Sequence, residues 1–247
     1  PNMLTMIALI YRVYAKLPSG RVMLYDKITE AYLESIDEFR GLQETSTPKS
    51  QHILWLSELA FEMQKKRGRK DDDTPEILIH EARIKEIMHE NLGPACEADK
   101  ELSYIARRSG LLLPRKPGYY NFVHLSFQEY FAALYLYQGL MSFDKRSLYE
   151  KKVTSLPGDK AWHECLILLF EKLSEHKGAS SWLFEHLFEN TFSGNSSSVQ
   201  LVADILGDLH SGIDAGKKNK ACVIILDQLQ KRINHPLINT INGFTQD

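Results

Sequence analysis

The residues best placed to do chemistry lie in Asn121-Phe122-Val123-His124-Leu125-Ser126-Phe127-Gln128-Glu129-Tyr130-Phe131-Ala132-Ala133. His124 ends an alternating, aromatic-rich run that reads as a strand. Two residues later Ser126 starts a helix, with Glu129 at capping-box spacing. A helix N-terminus presents unpaired backbone N–H groups and the positive end of its dipole, which suits a phosphate. An imidazole can donate a hydrogen bond to the same anion. Two readings of His124 stay open: a packed or backbone-bonded side chain, or a contact to a bound anion. Glu129 weighs against the second, because a carboxylate capping this helix repels an anion placed too close.

Other chemistries find no support in the spacing. Gly212-Ile213-Asp214-Ala215-Gly216-Lys217-Lys218 comes nearest to a phosphate-binding loop, but it is one spacer residue short and has Lys where the Mg²⁺-binding hydroxyl belongs. There is no Gly-x-Gly-x-x-Gly, no His-Glu-x-x-His and no Gly-x-Ser-x-Gly elbow. His163 and Cys165 are two apart, wrong for one helix face, so no metal site is expected. The three cysteines, Cys96, Cys165 and Cys222, form neither a disulfide framework nor a Cys-x-x-Cys pair, which points to a reducing, cytoplasmic setting. Lys65 to Lys70 is followed at once by Asp71-Asp72-Asp73. The two blocks nearly cancel and read as a solvated loop, with a nucleic-acid contact as the alternative.

The elements that must position His124 are mainly helical. Apolar residues at three- and four-residue spacing predict helices over 3–16, over a stretch carrying Tyr25, Ile28, Tyr32, Ile36 and Phe39, and over about 51–64. Further helices carry Ile84 to Leu92 and run from Glu101 to Ser109. Leu111–Leu113 and Tyr119–Leu125 flank Pro114-Arg115-Lys116-Pro117-Gly118, a turn by composition, and predict a β-hairpin. Ile77-Leu78-Ile79 is a brief strand or a lead-in. Helices followed by a hairpin make the layout of a winged helix. Beyond Asp144 only helices are expected. One apolar stripe carries Trp162, Cys165, Leu166, Leu169, Phe170 and Leu173, and the next carries Trp182, Leu183, Leu187 and Phe188. Two more follow, through Val199, Val202, Ile205, Leu206 and Leu209, and through Val223, Leu226, Leu229 and Ile233. Ser193 to Ser198 reads as a flexible break, and the connections suggest stacked helical hairpins. The fold class is therefore mainly α: a helical subdomain (1–46), a winged helix with a small hairpin (47–141) and a helical C-terminal domain (142–247).

The chain has 247 residues, 43% hydrophobic and 25% charged, with a formal net charge of −2. That excludes a disordered or polybasic protein. No apolar run approaches the ~20 residues of a membrane span, and the start lacks a secretory signal, so no membrane partner is expected. The chain opens on Pro1, consistent with a trimmed initiator Met or with a piece of something longer.

The stretch around His124 resembles the winged-helix signature of NACHT-type STAND ATPases, an NLR-like signal-transduction class. Pro1 to Ile10 resembles that family's Asn-Pro-Leu-Leu-Leu-Thr segment, Arg21 to Lys27 its next block, and Arg108-Ser109-Gly110-Leu111-Leu112 the stretch before the wing. The resemblance implies a regulatory half of such an ATPase, with Walker A and Walker B upstream and no activity in this chain alone. It implies that Pro1 packs near the adenine and that His124 touches the β-phosphate of ADP. The cofactors would be ADP or ATP with Mg²⁺ in the full-length protein. The partners would be an upstream NACHT nucleotide-binding domain, a trigger (protein or nucleic acid) at the C-terminal helices, and further copies on activation. Bacterial members are implicated in anti-phage defence. Two alternatives remain: a nucleic-acid binder using Arg107, Arg108, Arg115 and Lys116, or a protein–protein scaffold with Trp162 and Trp182 as anchors.

Overall fold

A computed structural model describes residues 8, 11, 18–35, 47–67, 77–191 and 196–233. The expected first helix apart from Ala8 and Tyr11, Ile36 and Phe39 of the expected second, the acidic block at 71–73, Pro1 and residues 193–195 of the serine-rich break lie outside these residues.

Within this frame, α1 spans Arg21–Glu30 and continues as a π turn through Ala31–Ser35. Next come α2 (Lys49–Arg67), β1 (Ile79–His80), α3 (Glu81–Leu92) and α4 (Ala98–Tyr104, with a π turn Ile105–Ser109). The wing is β2 (Leu112–Lys116) and β3 (Tyr119–Phe122). It leads into α5 (Leu125–Met141). The rest is α6 (Arg146–Thr154), a 3₁₀ turn (Lys160–Trp162), α7 (His163–Leu173), α8 (Ala179–Thr191), α9 (Ser196–Gly207) and α10 (Ala215–Ile233).

Helix α2 is longer than its apolar period over about 51–64 suggests, and Ile53 is only half-buried while Leu56, Ala60 and Met63 are sealed. The hairpin differs in two ways. β2 runs through Pro114, Arg115 and Lys116, with a register irregularity between Pro114 and Lys116, so the turn is only Pro117-Gly118. Gly118 takes it at φ 73°, a left-handed angle open to glycine. In addition β1 pairs antiparallel with β3, giving a three-stranded sheet in the order β1-β3-β2.

Helix α5 forms the axis. Phe127, Tyr130, Phe131, Ala132, Leu136 and Leu140 are buried around its circumference, because α2, α6 and α7 pack on it and α1 covers its first turns. An aromatic cluster closes that start: Tyr25 lies 5.4 Å edge-on from Phe127 and 5.2 Å stacked on Tyr130. Beyond it, Trp162, Cys165, Leu166, Leu169, Phe170 and Leu173 are all buried, as their spacing suggests. The last two stripes are less complete. Leu209 is 92% exposed and Val223 and Leu226 are about two-thirds exposed, because Leu209 falls beyond the end of α9 and α10 packs through Ala221.

Candidate functional site

His124 lies between β3 and α5 in extended backbone (φ −149°, ψ 145°) and is the N-cap of α5. Its Nδ1 accepts from the Ser126 backbone N–H at 3.2 Å and lies 2.8 Å from the Ser126 hydroxyl. An N–H aimed at Nδ1 requires that nitrogen to be bare, so the neutral ring carries its proton on Nε2. The side chain is exposed, and Nε2 has no hydrogen-bond partner among the described residues.

This corrects the expected capping box. Ser126 is inside the helix, and Glu129 does not reach back to cap it. Instead Glu129 turns into the core, 8% exposed, and its carboxylate meets Arg67 at 2.7 Å. Burial pushes that carboxyl above the usual range, with Arg67 opposing. The anion-repelling charge expected at the helix start is thus drawn inward and paired. The amide donors expected there are also partly used: the Ser126 N–H by the ring, and the Phe127 N–H by the His124 carbonyl at 3.0 Å. An anion at this corner would meet chiefly the Nε2–H.

From Phe127 to Ala133 the motif is buried. Gln128 donates to the buried Gln64 side chain at 2.7 Å, and Gln64 donates to the Ala161 carbonyl. The Tyr130 hydroxyl bonds Asp26, which also takes Lys172 at 3.0 Å. Leu125, 41% exposed, is the one apolar member left beside His124 at the surface.

Sequence reasoning missed a second polar seam, where α1 meets the C-terminal helices. The Val22 N–H donates 3.0 Å to Glu171 Oε1, so a carboxylate from α7 caps the first turn of α1. Gly20 makes room for it, since a Cβ there would collide with that carboxylate. Arg21 reaches Glu164 at 3.0 Å, Asp208 at 3.5 Å and Glu171 at 3.8 Å. Glu171 is 5% exposed, and burial lifts its carboxyl above the ordinary range. No local spacing signals these partners.

Pro1 lies outside the described residues. Of the groups proposed for nucleic acid, Arg107 is exposed on the π turn, Arg115 Nε donates to Asn121 at 2.8 Å, and the Lys116 ammonium lies 4.3 Å over Tyr119. Trp162 is core, and Trp182 is half-buried under the Arg146 guanidinium. Among the described residues no group of three His, Cys, Asp or Glu could hold a metal ion, and no helix is long and apolar enough to cross a membrane.

A fit to ADP can be judged from this geometry. One exposed N–H donor, aimed outward beside a helix start whose nearest carboxylate is paired, fits a single phosphate contact but not a whole nucleotide cradle. No curated protein and no solved structure matches the chain. Residues 21–136, from α1 to within α5, match the family described as the winged helix-turn-helix domain C-terminal to NACHT. The wing, the helices around it and the His124 corner all fall inside that stretch, so it is the winged helix of this chain that is similar to the NACHT-associated family.

Proposed function

We propose that this chain is the regulatory and sensor half of a NACHT-type STAND ATPase, in which the winged helix clasps ADP through His124 in the closed state. A trigger read by the C-terminal helices releases the clasp, and exchange, oligomerisation and signalling follow, with anti-phage immunity as the setting. The observation that carries the reading is the contrast within the signature: its inner residues have partners inside the protein, while His124 spends only Nδ1 on structure and leaves Nε2–H at the surface. Walker elements, Mg²⁺ and the remaining nucleotide contacts, the adenine contact of Pro1 among them, would come with a NACHT domain ahead of Arg21.

The magnitude is suitable. A hydrogen bond to a charged group contributes about 1.5–3 kcal/mol, enough to bias two states separated by a few kcal/mol. In a polypeptide carrying the NACHT domain and this chain, His124→Ala is expected to raise the ADP dissociation rate ten- to a hundredfold, roughly the loss of that bond. Basal signalling should rise with it. Natively purified protein should yield ADP by mass spectrometry. An unchanged ADP off-rate in His124→Ala removes the role.

A further inference from the structure

Ser126 engages His124 twice, and the two contacts differ in kind. The backbone N–H at 3.2 Å can only donate, so it suits a bare Nδ1. The hydroxyl at 2.8 Å can donate to a bare Nδ1 or accept from a protonated one. A side-chain hydrogen bond also links Ser126 to the phenol of Tyr25, from α1. Tyr25 is 6% exposed and wedged between Phe127 and Tyr130. The charged groups around this corner are engaged elsewhere: Glu129 with Arg67, and Arg21 with Glu164.

Resting on the nucleotide role of His124, we infer that Ser126 and Tyr25 are positioning residues, whose hydrogen-bonded chain holds the imidazole with Nε2–H outward in both of its charge states. When the ring is neutral, the Ser126 hydroxyl donates to Nδ1 and accepts from the Tyr25 phenol. When the ring is charged, Nδ1–H donates to Ser126, which then donates to the Tyr25 oxygen. The charged pattern differs by the proton that Nδ1 takes up from solvent: the hydroxyls rotate, the Ser126 N–H gives up its bond to Nδ1, and the Ser126 hydroxyl then holds the ring. Because α1 is held to α7 through Glu171 and through Lys172–Asp26, a shift of the C-terminal helices would reach the imidazole by way of Tyr25.

Histidine-labelled NMR of the 247-residue chain tests this directly. Vicinal couplings of wild-type His124 should report one side-chain rotamer with the ring neutral and with it charged. Nitrogen shifts should show the Nε2–H form when the ring is neutral. In Ser126→Ala the neutral ring keeps that form through the backbone N–H, but the charged ring, lacking an acceptor for Nδ1–H, should populate several rotamers. Tyr25→Phe should loosen it in the same sense and to a smaller degree, and Ser126→Thr should restore the single rotamer. A charged ring that keeps one rotamer in both Ser126→Ala and Tyr25→Phe overturns the inference, as does a wild-type ring with its proton on Nδ1. The ADP off-rate separates this from the underlying reading. Ser126→Ala should accelerate release about fivefold, one neutral hydrogen bond's worth. If His124→Ala leaves release unchanged, the nucleotide role fails, whatever the rotamers show. If His124→Ala accelerates release and Ser126→Ala does not, the positioning role fails.

Discussion

Two histidines of the same winged helix are used in opposite ways. His52, on α2, is 1% exposed, stacks on Tyr104 at 5.5 Å and places Nε2 2.8 Å from Glu101, whose other oxygen takes the Thr47 hydroxyl at 2.5 Å. Its Nδ1 is buried with no hydrogen-bond partner. His124 is the reverse: Nδ1 is satisfied within the protein and Nε2 faces out. An imidazole can serve a ligand when its structural duty occupies one nitrogen and the other reaches the surface. His52 meets neither condition, since the nitrogen it leaves over points into the core.

The sharpest break of this comparison is at the buried end. His52→Ala opens space in the core and takes from Glu101 its 2.8 Å partner, together about 2–5 kcal/mol, so it should lower the urea midpoint strongly. A loss below about 1 kcal/mol would mean that the pair is not anchoring the core. Gly20→Ala comes next. The added methyl must displace the Glu171 carboxylate, and overpacking of this kind costs roughly 1–3 kcal/mol. The expected sign is a lower thermal midpoint; an unchanged midpoint would show that the Glu171 carboxylate moves aside without cost.

At the exposed end the effect on stability should be small. His124→Ala removes an N-cap, worth about 1 kcal/mol. His124→Asn sharpens the contrast, because Asn caps well but leaves no ring nitrogen outward. It should unfold like wild type and still lose ADP quickly, so calorimetry and nucleotide release should disagree for this one variant. The smallest effect concerns acid. Glu171 has a folded-state pKa above its ordinary value of 4.5, so the folded state binds more protons through that interval. Its contribution to stability is therefore present in acid and declines as pH rises through the raised value. Glu171→Gln keeps an acceptor for the Val22 N–H and should flatten that decline. An unchanged pH slope in urea titrations would show that Arg21 already compensates the charge.

Much of the fold could be read from periodicity. The winged-helix layout, the aromatic burial of α5 and the Trp162 to Leu173 stripe follow from spacing, since a helix face or strand face repeats locally. The His124 corner was legible as a strand–helix boundary, but its cap was misassigned. Ser126 and Glu129 satisfy the capping-box spacing, yet Arg67, 62 residues away, offers Glu129 a stronger partner. β2 ran on through a proline-bearing turn signal because its pairing with β3 outweighs local turn chemistry. The Glu171, Lys172 and His52 contacts were invisible for the same reason. Each joins residues tens of positions or more apart, and no local pattern encodes a partner at that distance.

The carboxylate that completes the first turn of α1 sits 149 residues downstream of the amide it receives. On a ribosome adding about 5–20 residues each second, the Val22 amide waits on the order of 7–30 s before Glu171 is even polymerised. Through that interval the helix start must fray or borrow water. A polypeptide truncated after α6 would keep it in that state permanently, with Tyr25 loosened along with it.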